Sequence, residues 1–298
     1  MINSRPLSES SRNVYTYRIE RTVLYINQNL SRSMTLTEIA GESGFSPFHF
    51  HRIFHALVGE TPQDYINRLR LEKAANYLIK NPTLSKTEVA FNCGFSSSAV
   101  FARSFKKHFR VTASQYSQMV SLDRRFEHLQ PSDLAPELPP LPEIQIRNAP
   151  AMRLAYFGTH KGYSRESIGD AWNKVFAWAQ GHDCLTPDSN LVGICFDDPT
   201  ITPKEKCRYY ACVPVPEGIM KDVRANFINI PAGLRAFCHL ECTPEVIPST
   251  FFTLYRDWLP DSGYLPDDIP PYELYYYSMD AYQAGNYVLD VCIPVVPL

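Results

Sequence analysis

Residues 36–65 read LTEIAGESGFSPFHFHRIFHALVGETPQDY, and residues 86–116 read KTEVAFNCGFSSSAVFARSFKKHFRVTASQY. The second stretch repeats the first. Gly44-Phe45-Ser46 returns as Gly94-Phe95-Ser96 at an offset of 50, while Phe54 and Tyr65 return as Phe105 and Tyr116 at 51, so copy two carries one extra residue in between. Each copy reads as a short helix, a turn and a second helix. Gly44 or Gly94 stands where positive φ ends the first helix, and the serine two residues on (Ser46 or Ser96) suits an N-cap for the next. Apolar residues at helical spacing, Phe50/Ile53/Phe54/Leu57 and Val100/Phe101/Phe105/Phe109, form an expected buried stripe and leave a polar face outward.

One such copy reads equally well as an ordinary helical hairpin; two ordered copies read as paired helix-turn-helix units. Between them, Gln63 to Ile79 is a run of strong helix formers, started by Thr61-Pro62 and stopped by Asn81-Pro82. About 17 residues at ~1.5 Å each make a rod of ~26 Å. Such a rod can hold two recognition helices about one DNA turn (~34 Å) apart, so a monomer could engage two successive major-groove segments.

The doubled motif, with its G-F-S turn, the phenylalanine closing each recognition helix and the terminal tyrosine, resembles the DNA-binding domain of AraC/XylS-type transcription activators over about Tyr17 to Met119. The resemblance implies double-stranded DNA and RNA polymerase as partners and an all-α domain. It also implies that Phe48, His51 and Arg52, with His49 beside them, face the major groove. An arginine can bond guanine in bidentate fashion and an aromatic ring can lie on a thymine methyl. In copy two the matching surface is Ser98, Ala99, Ala102 and Arg103. Such small side chains make few base contacts, so this copy is expected to hold phosphates through Lys106 and Lys107. Two departures from the family pattern stand out: Phe48 where tryptophan is common, and Thr112-Ala113 where a proline precedes the last helix. Thr112 can cap that helix instead.

Charge supports this division. The net charge of −2 is the sum of +7 over residues 1–128 (17 Lys+Arg, 10 Asp+Glu) and −9 over 129–298 (12 and 21). A basic half suits a polyanion, so nucleic-acid binding belongs at the N-terminus. The 298 residues, 45 % apolar, suit about two domains. Eight cysteines show no C-x-x-C pair, and Cys238 and Cys242 are too isolated to read as ligands. With no signal peptide and no long apolar run, reduced thiols, a cytoplasmic location and no membrane segment are expected. His49, His51 and His55 lack a cysteine or carboxylate to complete a metal site, and no cofactor is implied.

Residues 1–14 are polar and serine-rich and read as a disordered tail, followed by a helix over Val14–Leu30. The expected domains are 15–120, a linker at 121–142 with five prolines in residues 131–142, and 143–298. In the last, strands are expected over 144–156, 191–196, 207–215, 226–230, 234–240, 272–277 and 287–295, with helices over 167–180 and 246–259. A weak duplication runs through them. Arg153 to Tyr156, helix, strand and 207–215 parallel Leu234 to Phe237, helix, strand and 287–294, which suggests a pseudo-twofold α+β domain of two strand-helix-strand-strand halves with a cleft between them. The phrases Gly162-Tyr163, Phe196 to Pro199, Ile230 to Gly233, Trp258 to Tyr264, Tyr272 to Tyr275 and Val291 to Val295 resemble the GyrI-like effector-binding domain over about 143–298. With an AraC-type half before it, the chain is similar to the Rob subgroup of activators.

In this half Glu273 stands out. In a strand, Glu273, Tyr275 and Tyr277 share a face, so an acid lies beside a row of rings, an arrangement that attracts an amphipathic cation. The alternative is a solvated edge glutamate. The GyrI-like resemblance implies an acid in a cavity, with Tyr156, Tyr163 and Trp172 as further wall residues that could equally be core. The expected effector is therefore a small amphipathic or cationic molecule. A hydrolase using Glu273 and a tyrosine, or a protein-binding module, is the alternative. No Ser-His-Asp set, phosphate loop or metal cluster supports an enzyme.

Overall fold

A computed structural model describes residues 9–80, 83–119, 141–159, 162–185, 189–216, 219, 225–276 and 286–298. The chain divides into two compact units, one built on Met1–Ser121 with Asp222–Asn226 and the other on Leu122–Lys221 and Phe227–Leu298. Residues 121–140 of the linker expected over 121–142, the stop at Asn81-Pro82 and Tyr277 lie outside the described residues.

The first unit holds α1 (Glu9–Gln28), α2 (Leu36–Ser43), α3 (Pro47–Val58), α4 (Pro62–Lys80), α5 (Lys86–Asn92), α6 (Ser98–Phe109) and α7 (Ala113–Met119). The two copies fold by the same local chemistry. Thr35 and Ser85 open α2 and α5 with capping boxes completed by Glu38 and Glu88. Gly44 and Gly94 take φ of 67° and 82° in the turns. Phe50, Phe54 and Tyr65 pack as successive rings with centroids 5.4 Å apart, and Phe101, Phe105 and Tyr116 repeat the 5.4 Å spacing. The rod is α4, opened by Thr61, whose hydroxyl accepts from the Asp64 amide at 3.1 Å. Thr112 does the same for Gln115 at 3.2 Å before α7, replacing the missing proline.

Several expectations need correction here. The tail expected over 1–14 is helical from Glu9, because a serine-rich run without glycine or proline does not stop a helix that continues into Val14 and beyond. Ser97, not Ser96, caps α6, accepting from the Val100 amide at 3.2 Å. The extra residue of copy two therefore lies in the turn, which brings Ser97 to the place of Ser46. Leu57 and Val100 are exposed, since the buried stripe narrows to the phenylalanines.

The second unit holds β1 (Gln145–Ala149), β2 (Met152–Thr159), α8 (Arg165–Gln180), β3 (Leu191–Cys195), β4 (Tyr209–Pro214), β5 (Asn226–Ile230), β6 (Gly233–Cys242), α9 (Ile247–Thr253), β7 (Tyr264–Pro266), β8 (Tyr272–Tyr276) and β9 (Tyr287–Pro297). The strands form one sheet in the order β1-β6-β9-β8-β3-β4-β2-β5, with β7 added to β9. The single strand expected over 144–156 is two. Pro150 cannot donate to a ladder, and the chain leaves β6 for β4 around it. The single helix expected over 246–259 is a short α9, preceded by a 3₁₀ turn at Pro244–Val246 and continued by a π turn at Leu254–Trp258 and a 3₁₀ turn at Leu259–Asp261. Pro248 and Pro260 remove donors that a continuous α-helix would use.

The duplication is visible residue by residue. Leu154↔Pro214, Ala155↔Val213 and Tyr156↔Cys212 of β2·β4 recur as Arg235↔Pro294, Ala236↔Ile293 and Phe237↔Cys292 of β6·β9. Val192↔Cys212 through Cys195↔Tyr209 of β3·β4 recur as Tyr272↔Cys292 through Tyr275↔Leu289 of β8·β9. The two halves join edge to edge where β3 pairs with β8, and the local twofold passes through the pair Gly193↔Glu273. Both helices lie on one face. Ser167 of α8 bonds Thr159 of β2, and Ile247 and Leu254 pack with Ala236, Cys238, Leu289, Val291 and Ile293.

Candidate functional site

On α3 the buried Phe50 and Phe54 turn the remaining positions outward. Phe48 is 62 % exposed, and His49, His51 and Arg52 are exposed beside it. Arg52 stands one turn after Phe48, with its guanidinium carbon 4.4 Å from the ring centroid. The contact holds a long charged side chain along the exposed helix before any partner is met. On α6 the same side carries Ser98, Ala99, Ala102, Arg103, Lys106 and Lys107, all exposed. The first helix thus presents ring, imidazoles and guanidinium, and the second presents small residues with cations in its later turns. His51 and His55 stand one turn apart and exposed, and no group of three or more His, Cys, Asp or Glu is placed for a metal among the described residues.

In the second unit Glu273 lies on the helix-covered face of the sheet, only 6 % exposed. Three donors converge on its carboxylate: the Tyr209 hydroxyl and the Tyr275 hydroxyl, each at 2.8 Å from Oε2, and the Cys195 thiol at 3.7 Å from Oε1. Among the described residues no lysine, arginine or histidine pairs with it. Burial pushes the Glu273 carboxyl above its ordinary range, and the three hydrogen bonds only partly oppose this. Burial, and then the neighbouring Glu273, push both tyrosines and the Cys195 thiol well up, so all three remain protonated donors. A Cβ at Gly193, the residue paired with Glu273, would be driven into the Tyr209 hydroxyl and the Glu273 carboxylate. The twofold position therefore has room for one acid and its donors, and its symmetry mate must be glycine.

Trp172 of α8 sits over this cluster, 5.6 Å from Tyr275 and 6.3 Å from Tyr209 between ring centroids. Phe176 lies 5.9 Å further along α8, and Tyr287 lies 5.7 Å from Tyr275 on the other side. Both are partly exposed, so a line of rings runs from the surface to the acid. Tyr163 is 6.5 Å from Tyr209, and its hydroxyl is tied to the Asp197 backbone, donating to the carbonyl at 2.9 Å. The expected wall residue Tyr156 is not in this site. It lies three residues before Thr159, which faces Tyr209, so the pleat turns it to the opposite face, where it stacks on Tyr210 at 4.3 Å. Cys195, Tyr209, Gly193, Phe176 and Tyr287 were not singled out from the sequence. Their role depends on which strands pair with β8 and where α8 crosses the sheet.

A helical unit with two capped helix-turn-helix copies, followed by a duplicated sheet enclosing an acid among rings, defines a DNA-binding transcription regulator with a small-molecule binding domain. Residues 142–296 match the GyrI-like small molecule binding domain and residues 44–119 match a helix-turn-helix domain. The chain belongs to the GyrI-like family and carries an AraC-type DNA-binding half. It is 34 % identical to the transposon Tn10 TetD protein of Escherichia coli over 116 residues, covering 38 % of this chain and 82 % of that one. It is 30 % identical to the HTH-type transcriptional activator AarP of Providencia stuartii over 118 residues, 39 % of this chain and 87 % of the relative. A solved structure, the EcmrR C-terminal domain, aligns with 52 % of this chain and 98 % of its own at 13 % identity and a TM-score of 0.43. No described helix is long and apolar enough to cross a membrane.

Proposed function

We propose that this chain is a cytoplasmic transcription activator that binds double-stranded DNA as a monomer and recruits RNA polymerase, and that it responds to a small amphipathic cation held at Glu273. In this reading residues 15–120 bind DNA, with Phe48, His49, His51 and Arg52 reading bases and Ser98, Ala99, Arg103, Lys106 and Lys107 holding the neighbouring backbone. Residues 121–142 are the linker. Residues 143–298 take the effector, with Tyr275, Tyr209 and Trp172 around the acid.

The observation that carries the effector class is a buried carboxylate that, among the described residues, is supplied with neutral donors alone. Hydroxyls and a thiol stabilise its charge without cancelling it, so an entering cation gains Coulombic energy at low dielectric and meets aromatic faces on its way. An anion would meet an acid that no side-chain cation among the described residues offsets. No metal ligand set accompanies Glu273 among the described residues, and burial keeps the neighbouring Cys195 thiol protonated and therefore a poor nucleophile, which favours binding over hydrolysis as the role of the cluster.

Titrating a lipophilic quaternary ammonium and a neutral amphiphile of similar size by calorimetry tests the reading. Glu273→Gln keeps shape and removes charge. It should weaken the ammonium by about tenfold or more, on the order of 1.4 kcal/mol, and leave the neutral compound nearly unchanged. Equal ammonium affinities in both proteins would remove Glu273 from the site.

A further inference from the structure

The two recognition helices can act together only if something fixes one relative to the other, and α4 alone is a single helix with a motif at each end. At its middle stands Arg70, whose side chain does not stay on the rod. Its Nε donates to the Leu30 carbonyl at 2.9 Å and its Nη2 to the Arg32 carbonyl at 2.6 Å. These carbonyls lie in the turn after α1, beyond the helix's own hydrogen-bond ladder, and a guanidinium fork can take two at once. Leu30 belongs to the first motif, since its side chain lies in the core with Ile39, Phe50 and Phe54.

The second motif reaches the same point. A Cβ at Gly94, in the turn between α5 and α6, would be driven into the Leu30 carbonyl and would stand 2.9 Å from Arg70 Nε. The turn of copy two is thus seated directly on the carbonyl that Arg70 holds. Burial pushes the Arg70 guanidinium down from its usual value, as expected for a cation whose partners are neutral carbonyls and not acids. One side chain joins the end of α1, the rod and the second turn.

We propose that Arg70 is a positioning residue for DNA binding: it locks the two helix-turn-helix units in one relative orientation, so that both recognition helices engage one duplex at the same time. Without this lock, binding of the first helix no longer presents the second at high effective concentration, although each unit keeps its own surface.

The test compares two duplexes derived from one sequence, selected by the wild-type chain from a randomised pool. One, of about 22 bp, spans two successive major-groove turns, and the other, of about 12 bp, keeps the segment contacted by α3. Full-length wild type should bind the longer duplex about a hundredfold more tightly than the shorter. In Arg70→Ala that ratio should fall to about threefold or less, with affinity for the short duplex within about twofold of wild type. A residue that merely supports stability would lower both affinities together and leave the ratio unchanged. Arg70→Gln, which keeps one donor, provides the same ratio should Arg70→Ala fold poorly, and is expected to lie between the two. A wild-type ratio retained in the folded Arg70 variants would overturn the proposal, as would a wild-type ratio near one. A pool that returns no bound duplex would overturn the DNA-binding reading with it.

Discussion

Glu273 shows how one residue can hold a buried carboxyl at a cost in stability. Its carboxyl sits above the ordinary range because burial outweighs the bonds from Tyr209, Tyr275 and Cys195. A raised acid makes the folded domain bind a proton that the unfolded chain has already lost. The contribution is therefore fully present below the ordinary carboxylate pKa and is lost as pH rises through the folded value. Glu273→Gln cannot ionise, so its melting temperature should exceed that of wild type at neutral pH and the gap should close on acidification. Thermal melts from about pH 4 to about pH 8 check this, and a constant gap would contradict it. Cation affinity should run the other way, falling as the acid takes up its proton. In the first unit, Arg52 is held on Phe48 at 4.4 Å, and we propose that it takes a guanine in bidentate fashion. Arg52→Ala should cost about 1–3 kcal/mol on a selected duplex and much less on random DNA. Equal losses in gel-shift titrations would mean that Arg52 touches phosphate alone.

At the scale of elements, the two copies are a natural comparison of one design under two sequences. Both close their second helix with a left-handed residue, but copy one uses Gly59 at φ 85° and copy two uses Arg110 at φ 64°. A side chain in that region costs about 1–2 kcal/mol relative to the ordinary helical conformation, and glycine avoids the cost while adding some entropy to the unfolded chain. Arg110→Gly should therefore stabilise the helical unit by about 0.5–1 kcal/mol, measured by urea unfolding, and a destabilised variant would show that Arg110 makes a compensating contact. In the second unit the corresponding device is an ion pair. Arg208, opening β4, donates from Nε to Asp197 at 2.7 Å, and both side chains are nearly fully buried. The pair holds the phrase Phe196 to Pro199 against the sheet.

For the whole molecule, the separate cores bear on how the halves fold. Phe50, Phe54, Tyr65 and their neighbours close a core within residues 19–69, and the second copy buries Val89, Phe101 and Phe105 by the same pattern. A fragment ending at Gln130 lacks Asp222–Asn226 of the helical unit but keeps all of this core, and should therefore fold and bind a selected duplex with an affinity within a few-fold of the full chain, because the acidic half adds no attraction for phosphate. Circular dichroism and gel shift read the two properties, and a fragment that fails to fold would reveal a shared core.

The helical half was legible along the chain because its instructions are local. A cap, a turn glycine and a phenylalanine stripe act within three or four residues, and the repeat states them twice. Even there, Leu57 and Val100 continue the apolar spacing and yet lie exposed, since a helix does not announce how wide its buried face is. In the sheet half, the acid, its strand and the 81- and 80-residue echoes could be read from spacing. The donors around the acid could not. Tyr209 and Cys195 reach Glu273 only through the pairing of β4, β3 and β8, and Tyr156 leaves the site only through the pleat of β2. Such neighbours lie 64 and 78 residues from Glu273 in the chain, and strand order and register, which bring them together, are properties of the assembled sheet and not of any segment.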